Sequence, residues 1–301
     1  MRSRRPQAVS RRFGAGVACL VGLICGCGPE RIHDFYVLAH ADDDLFFMNP
    51  DLRASLAEGN SVRAVFLTAG DAGVARGLRY ARARERGSQA AYTAMLGASH
   101  PEWMPFAPDG SRALHGAARS DAPVSLVFLR LPDGGPRGTG FAATGGASLE
   151  RLWTGEIDSL RPIDGAPGFT KADLTATLAE LMREFGADRI NTLDPRDAYP
   201  EGHSDHRHAA RFALAARSAG ASEARLRLYR DYSSLLEPAN LSAQECARKA
   251  EIIAAYAASD PLVPRAMRGT PCQSDTGFYE RFLWRQYQVA PAPAATDPQT
   301  R

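Results

Sequence analysis

Five short runs rich in Val, Leu and Phe constrain this chain more than any other feature. They are Phe35–Ala41, Ser61–Thr68, Val124–Leu131, Arg189–Leu193 and Ala224–Tyr229, and each soon meets Gly, Asp or Pro. Apolar runs bounded in this way read as buried strands. The segments between them carry a helical period. In KADLTATLAELMREFG, Leu174, Leu178, Leu181, Met182 and Phe185 share one face, Thr170 with Asp173 predicts a capped start, and Gly186 a stop. Further helices are expected near Tyr80–Leu96, Asp205–Ala219 and Ala243–Ala257. Strand–helix alternation predicts an α/β, Rossmann-like fold: a mostly parallel sheet with helices on both faces. Such sheets hold ligands at the carboxyl ends of their strands.

Two of those ends are chemically unusual. The first reads FYVLAHADDDLFFMNP, where His40 is followed by Asp42, Asp43 and Asp44. Neighbouring carboxylates repel one another and resist burial, so a core strand ending in three of them needs a compensating charge. The second follows Arg189–Leu193 and reads DPRDAYPEGHSDHRHAARFAL, crowding His203, Asp205, His206 and His208 together. Ser204 or Asp205 is expected to cap the helix that starts there. A divalent cation cancels the repulsion among the acids. Two His nitrogens and one carboxylate are a usual catalytic zinc set, and a second carboxylate that does not ligate can take a proton from water. The Gly-, Pro- and Asp-rich region 132–168 is a long connection of the kind that often carries function. Trp103, Phe141, Trp153 and Tyr199 are candidates to stack on a sugar.

The chain ends read differently from the middle. Residues 1–12 are basic without an acid, and 13–27 form a short apolar run ending in small residues, which describes a secretory signal; an uncleaved anchor is the alternative. Ile24-Cys25-Gly26-Cys27 resembles a bacterial lipobox with Cys27 as the lipidated residue, and Ser10-Arg11-Arg12-Phe13 resembles a twin-arginine signal. The protein is therefore expected to be exported, as a periplasmic or cell-surface lipoprotein or otherwise secreted. Five arginines precede Cys27, so the formal +2 becomes about −3 beyond it, and a nucleic-acid partner loses its electrostatic support. Beyond the signal only Cys246 and Cys272 remain, which in an oxidising compartment suggests one disulfide, with two separate buried thiols as the alternative. The expected layout is a signal over 1–27, one domain over 28–289 and a disordered tail over 290–301.

AHADDD at 39–44 and HSDH at 203–206 look like the two signature motifs, A-H-P-D-D-E and H-P-D-H, of the PIG-L-like (LmbE-like) N-acetylglucosaminyl de-N-acetylases. FLTAGDAG, YARARERGSQAAYTAMLG, LVFLRLPDG, LWTG and KAEIIAAY extend the likeness over roughly residues 34–260. The resemblance implies His40, Asp43 and His206 as ligands of Zn²⁺, or of another divalent metal. It implies Asp42 as general base, His203 as the imidazolium that stabilises the oxyanion, and Asp205 as the residue orienting His203. Arg84 or Arg82 is implied as a substrate contact. Three positions depart from the motifs: Ala41 and Ser204 replace Pro, and Asp44 replaces Glu. The function so implied is zinc-dependent removal of acetate from an N-acetylated sugar or glycoconjugate. The alternatives are an exported glycan-binding lipoprotein with an inactive site and a metal-dependent hydrolase of a non-sugar amide or ester.

Overall fold

The computed structural model describes residues 31–74, 77–97, 102–108, 114–196, 202–260, 262–263, 272–273 and 277–291. The expected signal, Cys27, Tyr199 and all but the start of the expected tail lie outside these residues. Eight strands form one sheet in the order β3-β4-β5-β2-β1-β6-β7-β8. Its centre is parallel and contains the five expected strands: β1 (His33–Leu38), β2 (Ser61–Thr68), β5 (Val124–Leu131), β6 (Arg189–Leu193) and β7 (Arg225–Tyr229). The edges are antiparallel: β3 (Trp103–Phe106) and β4 (His115–Arg119) on one side, the two-residue β8 (Gln288–Val289) on the other.

Because strand side chains alternate between faces, β1 feeds two cores. Tyr36 and Leu38 pack with α1 (Asp43–Phe47), α2 (Asp51–Ala57), α3 (Gly77–Met95), α7 (Ala243–Ala257) and α8 (Phe278–Leu283). Phe35 and Val37 pack with α4 (Leu149–Thr154), α5 (Lys171–Phe185) and α6 (Ser204–Gly220). β2 and β5, and β1 beyond His33, are buried on both sides, which is why they read as nearly continuous apolar runs. The caps of α5 are those expected: Thr170 and Asp173 close a capping box, and Gly186 ends the helix at φ 66°. From β1 the chain builds outward to β2 and β5, then returns to place β6 against the other side of β1. Such a reversal opens a crevice at the carboxyl ends of the two central strands. Among the described residues no helix is long and apolar enough to cross a membrane.

Candidate active site

The crevice is occupied by both unusual motifs. β1 ends at Leu38, short of the expected Ala41, because a side chain captures the next two amides: Asp43 Oδ2 accepts from the N–H groups of Ala39 (3.0 Å) and His40 (2.8 Å). That turn starts α1 and leaves Asp43 Oδ1 for another partner. Across the crevice, α6 begins with His203 as its cap, in place of the expected Ser204 or Asp205: the His203 Nδ1 accepts from the Asp205 N–H at 3.2 Å. Ser204 is turned instead toward the Glu150 carboxylate, to which its hydroxyl donates at 2.5 Å.

His40, Asp43 and His206 come together from the turn after β1, from α1 and from α6. His40 Nδ1 lies 3.2 Å from His206 Nε2, His206 Nε2 lies 3.1 Å from Asp43 Oδ1, and His40 Nδ1 lies 3.4 Å from Asp43 Oδ1. Three corners of a tetrahedron with metal–ligand distances of about 2.0–2.1 Å stand about 3.3 Å apart. The triangle therefore fits one small divalent ion, and the group is buried with its donor atoms mutually in reach. Behind it, His206 Nδ1 is 2.9 Å from Asp231 Oδ2, which directs Nε2 at the triangle. On the other side Asp205 Oδ2 lies 3.5 Å from His40 Nε2 and 3.8 Å from His203 Nδ1, while accepting from the Gly134 N–H at 2.7 Å. Asp205 thus stands closer to His40 than to His203. Gly134 is required there, since a Cβ would come within 2.5 Å of the Asp205 carboxylate.

Charge is concentrated in this crevice. Burial opposes charging of His40 and His206, but Asp43 and the acids behind them outweigh it: His40 is held well above the usual imidazole range and His206 at about 9. Burial would raise Asp43; the two imidazoles instead hold it well below the usual carboxylate range. His203 is pushed far down by burial and by the neighbouring His40 and His206. That shift works against the imidazolium implied by the resemblance, and with Nδ1 accepting the Asp205 N–H a neutral ring would carry its proton on Nε2.

The three consecutive acids have three surroundings. Asp42 faces the cavity, where burial raises its pKa against the pull of Arg84, whose Nη2 donates to Oδ1 at 2.5 Å. Asp43 joins the triangle. Asp44 turns inward, accepting from the Tyr92 hydroxyl (2.6 Å) and the Leu45 N–H (3.0 Å), and burial pushes its pKa up to about 8. Arg84 is itself clamped: Nε donates to the Tyr256 hydroxyl (2.7 Å), Nη1 to the Gly70 carbonyl (2.9 Å), and Asp260 lies 3.3 Å away. A Cβ at Gly70 would collide with the guanidinium. Arg82, by contrast, is exposed on α3 outside the cavity.

The cavity holds about 250 Å³. Asp133 and Asp260 join its polar lining, and Phe46, Phe47, Tyr80, Tyr232, Tyr279 and Phe282 supply aromatic surface. None of these eight was singled out from the sequence. Of the aromatics that were, Trp153 packs edge-on against Phe212, Trp103 bonds Thr93 from β3, and Phe141 lies against Gly73; none of the three lines this cavity.

A family model described as PIG-L, GlcNAc-PI de-N-acetylase, matches residues 35–217. No curated protein matches the chain. Among solved structures, the conserved protein TT1542 from Thermus thermophilus is 18% identical with a TM-score of 0.45, over 89% of this chain and 98% of that one. The N,N'-diacetylchitobiose deacetylase of Pyrococcus horikoshii is 16% identical with a TM-score of 0.47, over 83% and 75%. The 4-carboxy-2-hydroxymuconate hydratase GalB of Pseudomonas putida KT2440 is 12% identical with a TM-score of 0.45, over 84% and 82%.

Proposed function

The chain belongs to the PIG-L, GlcNAc-PI de-N-acetylase family, and from that premise we propose that it removes acetate from an N-acetylated sugar, using zinc held by His40, Asp43 and His206. The observation that carries this reading is the donor triangle, whose 3.1–3.4 Å edges match a tetrahedral ion. Bound there, the ion would act as a Lewis acid that acidifies water and polarises the amide carbonyl. Asp42 receives the proton of the attacking water, and Arg84 keeps its carboxylate aimed into the cavity. As the carbonyl carbon becomes tetrahedral, His203 donates through Nε2 to the developing oxyanion. Asp42 then returns its proton to the departing amine. Arg84, expected as a substrate contact, serves in this reading to hold the base.

The Cys246–Cys272 disulfide supports an exported location, since such bridges persist in oxidising compartments. The test is acetate release from a panel of N-acetylglucosamine conjugates, before and after chelation and after zinc is restored. We expect release that disappears with the chelator and returns with the metal. Release unaffected by complete metal removal would defeat the reading.

A further inference from the structure

The cavity has walls of two kinds. Arg84, Asp42, Asp133 and Asp260 make one of them polar. The other is a packed aromatic cluster that starts at the donor triangle itself. His206 lies 5.8 Å from the Phe47 ring and 5.3 Å from the Tyr232 ring, centroid to centroid. Phe47 continues to Phe282 at 5.4 Å, Phe282 to Phe46 at 6.1 Å, and Phe46 to Tyr279 at 5.8 Å, all four lining the cavity. Phe47 follows Asp43 within α1, so the inner end of the wall is fixed to a donor of the triangle. The outer end is open: Tyr279 is 37% exposed.

An apolar surface running unbroken from a buried reacting centre to solvent exceeds what an acetyl group can cover. One methyl reaches only the first ring. Core packing accounts for Phe47 and Phe282 but leaves Tyr279 exposed where it lines the cavity, and an apolar side chain that continues an apolar wall marks a binding surface. The polar wall suits a hydroxyl-bearing amine, and the aromatic wall suits the acyl side of the same amide.

We propose that the site also takes, and prefers, amides of longer aliphatic acids, the acyl chain lying along Phe47, Tyr232 and Phe282 toward Phe46 and Tyr279, and the amine part on the Arg84 wall. This rests on the amide-hydrolase reading above and extends it from acetyl to larger acyl groups. The reaction keeps its balance: water adds oxygen to the carbonyl carbon, the C–N bond breaks, and the products are an aliphatic carboxylate and a protonated amine.

The test has a kinetic and a binding arm. N-acetyl-, N-butanoyl-, N-hexanoyl- and N-octanoylglucosamine are compared by amine release, and octyl N-acetylglucosaminide serves as a control with the chain on the other side. Binding of acetate and octanoate to the zinc-loaded protein is followed by calorimetry. We expect kcat/KM to rise about tenfold or more from acetyl to octanoyl, within the range that added methylenes give in an apolar pocket. Octanoate should bind more tightly than acetate. Tyr279→Ala should lower kcat/KM for octanoyl several-fold more than for acetyl. A flat or falling acyl profile with active acetyl turnover overturns this proposal and leaves the deacetylase standing, as does a gain confined to the octyl glycoside. No turnover of any amide, with octanoate still preferred and that preference lost in Tyr279→Ala, would overturn amide hydrolysis while keeping the apolar subsite.

Discussion

Three successive aspartates share one chain segment and no common environment. Asp43 has one oxygen pinned by two backbone amides and one turned to the imidazoles, whereas Asp42 accepts from Arg84 at the cavity wall. Removing the Asp42 charge therefore leaves the triangle intact. Asp42→Asn is expected to retain one zinc per chain by elemental analysis and to lose turnover by about a hundredfold or more; His206→Ala should lose the metal. Asp231 offers a sharper case because it touches a donor and not the cavity. Asp231→Ala should weaken zinc by about 10- to 100-fold in competition with a chelator, with turnover recovering at excess zinc. A variant whose turnover stays low at saturating metal would show that Asp231 does more than aim His206. Much of this site could be read from residue types alone. His40 with Asp42–Asp44, and the cluster from His203 to His208, announced themselves as charge crowded at strand ends, while the choice of His40, Asp43 and His206 among them came from the family resemblance. The same rule, applied further, would have found Asp133 after β5 and Asp231 after β7. The Arg84 clamp could not be found that way, because its partners Tyr256 and Asp260 come from the end of α7, far along the chain and visible only once α3 and α7 pack.

At the scale of elements, what the sequence displayed was periodicity of sufficient length. The central strands and α3, α5, α6 and α7 carry enough apolar repeats to identify them. The edge strands do not. β3 is only WMPF, and Pro105 within it is tolerated because an edge strand has a side that needs no ladder partner; β8 has two residues. The short α8 is equally unmarked, yet it brings Tyr279 and Phe282 to the cavity. It is tied to α7 by Lys249, a fully buried amino group that donates to the carbonyls of Phe282 and Arg285, both at 2.7 Å. Burial lowers the Lys249 pKa to about 7 from the ordinary 10.5. Between those values the unfolded chain binds a proton that the folded chain does not. Stability consequently rises as pH increases from about 7 toward 10.5, by at most about 1.4 kcal/mol per pH unit, and the cost of charging is felt in full below that window. Lys249→Met removes the titration, so the difference in unfolding midpoint between variant and parent should shift in the parent's favour as pH is raised from 7 to 10. A difference independent of pH would show that Lys249 stays charged in the fold.

Viewed as a whole, the molecule divides its active site between two parts of the chain with different kinds of support. The donor triangle comes from the turn after β1, from α1 and from α6, at the reversal of strand order, and is held by the centre of the sheet. Tyr256, Asp260, Leu262 and Val263 come from the stretch between Cys246 and Cys272, which the disulfide closes into a loop. Tyr256 and Asp260 fix Arg84, and Arg84 fixes Asp42, so the bridge bears on the base and not on the donors. Closing a loop of this separation is worth about 3 kcal/mol through the unfolded chain. Reducing the bridge, or replacing both cysteines by serine, should lower the unfolding midpoint by several degrees. If the two parts are supported independently, zinc content should be unchanged while kcat falls, and Asp42→Asn combined with the double serine variant should show no additional loss of kcat. Loss of metal on reduction would place the bridge in support of the triangle as well. Undiminished kcat in the reduced, still folded protein would show that α3 and α7 hold Arg84 without it.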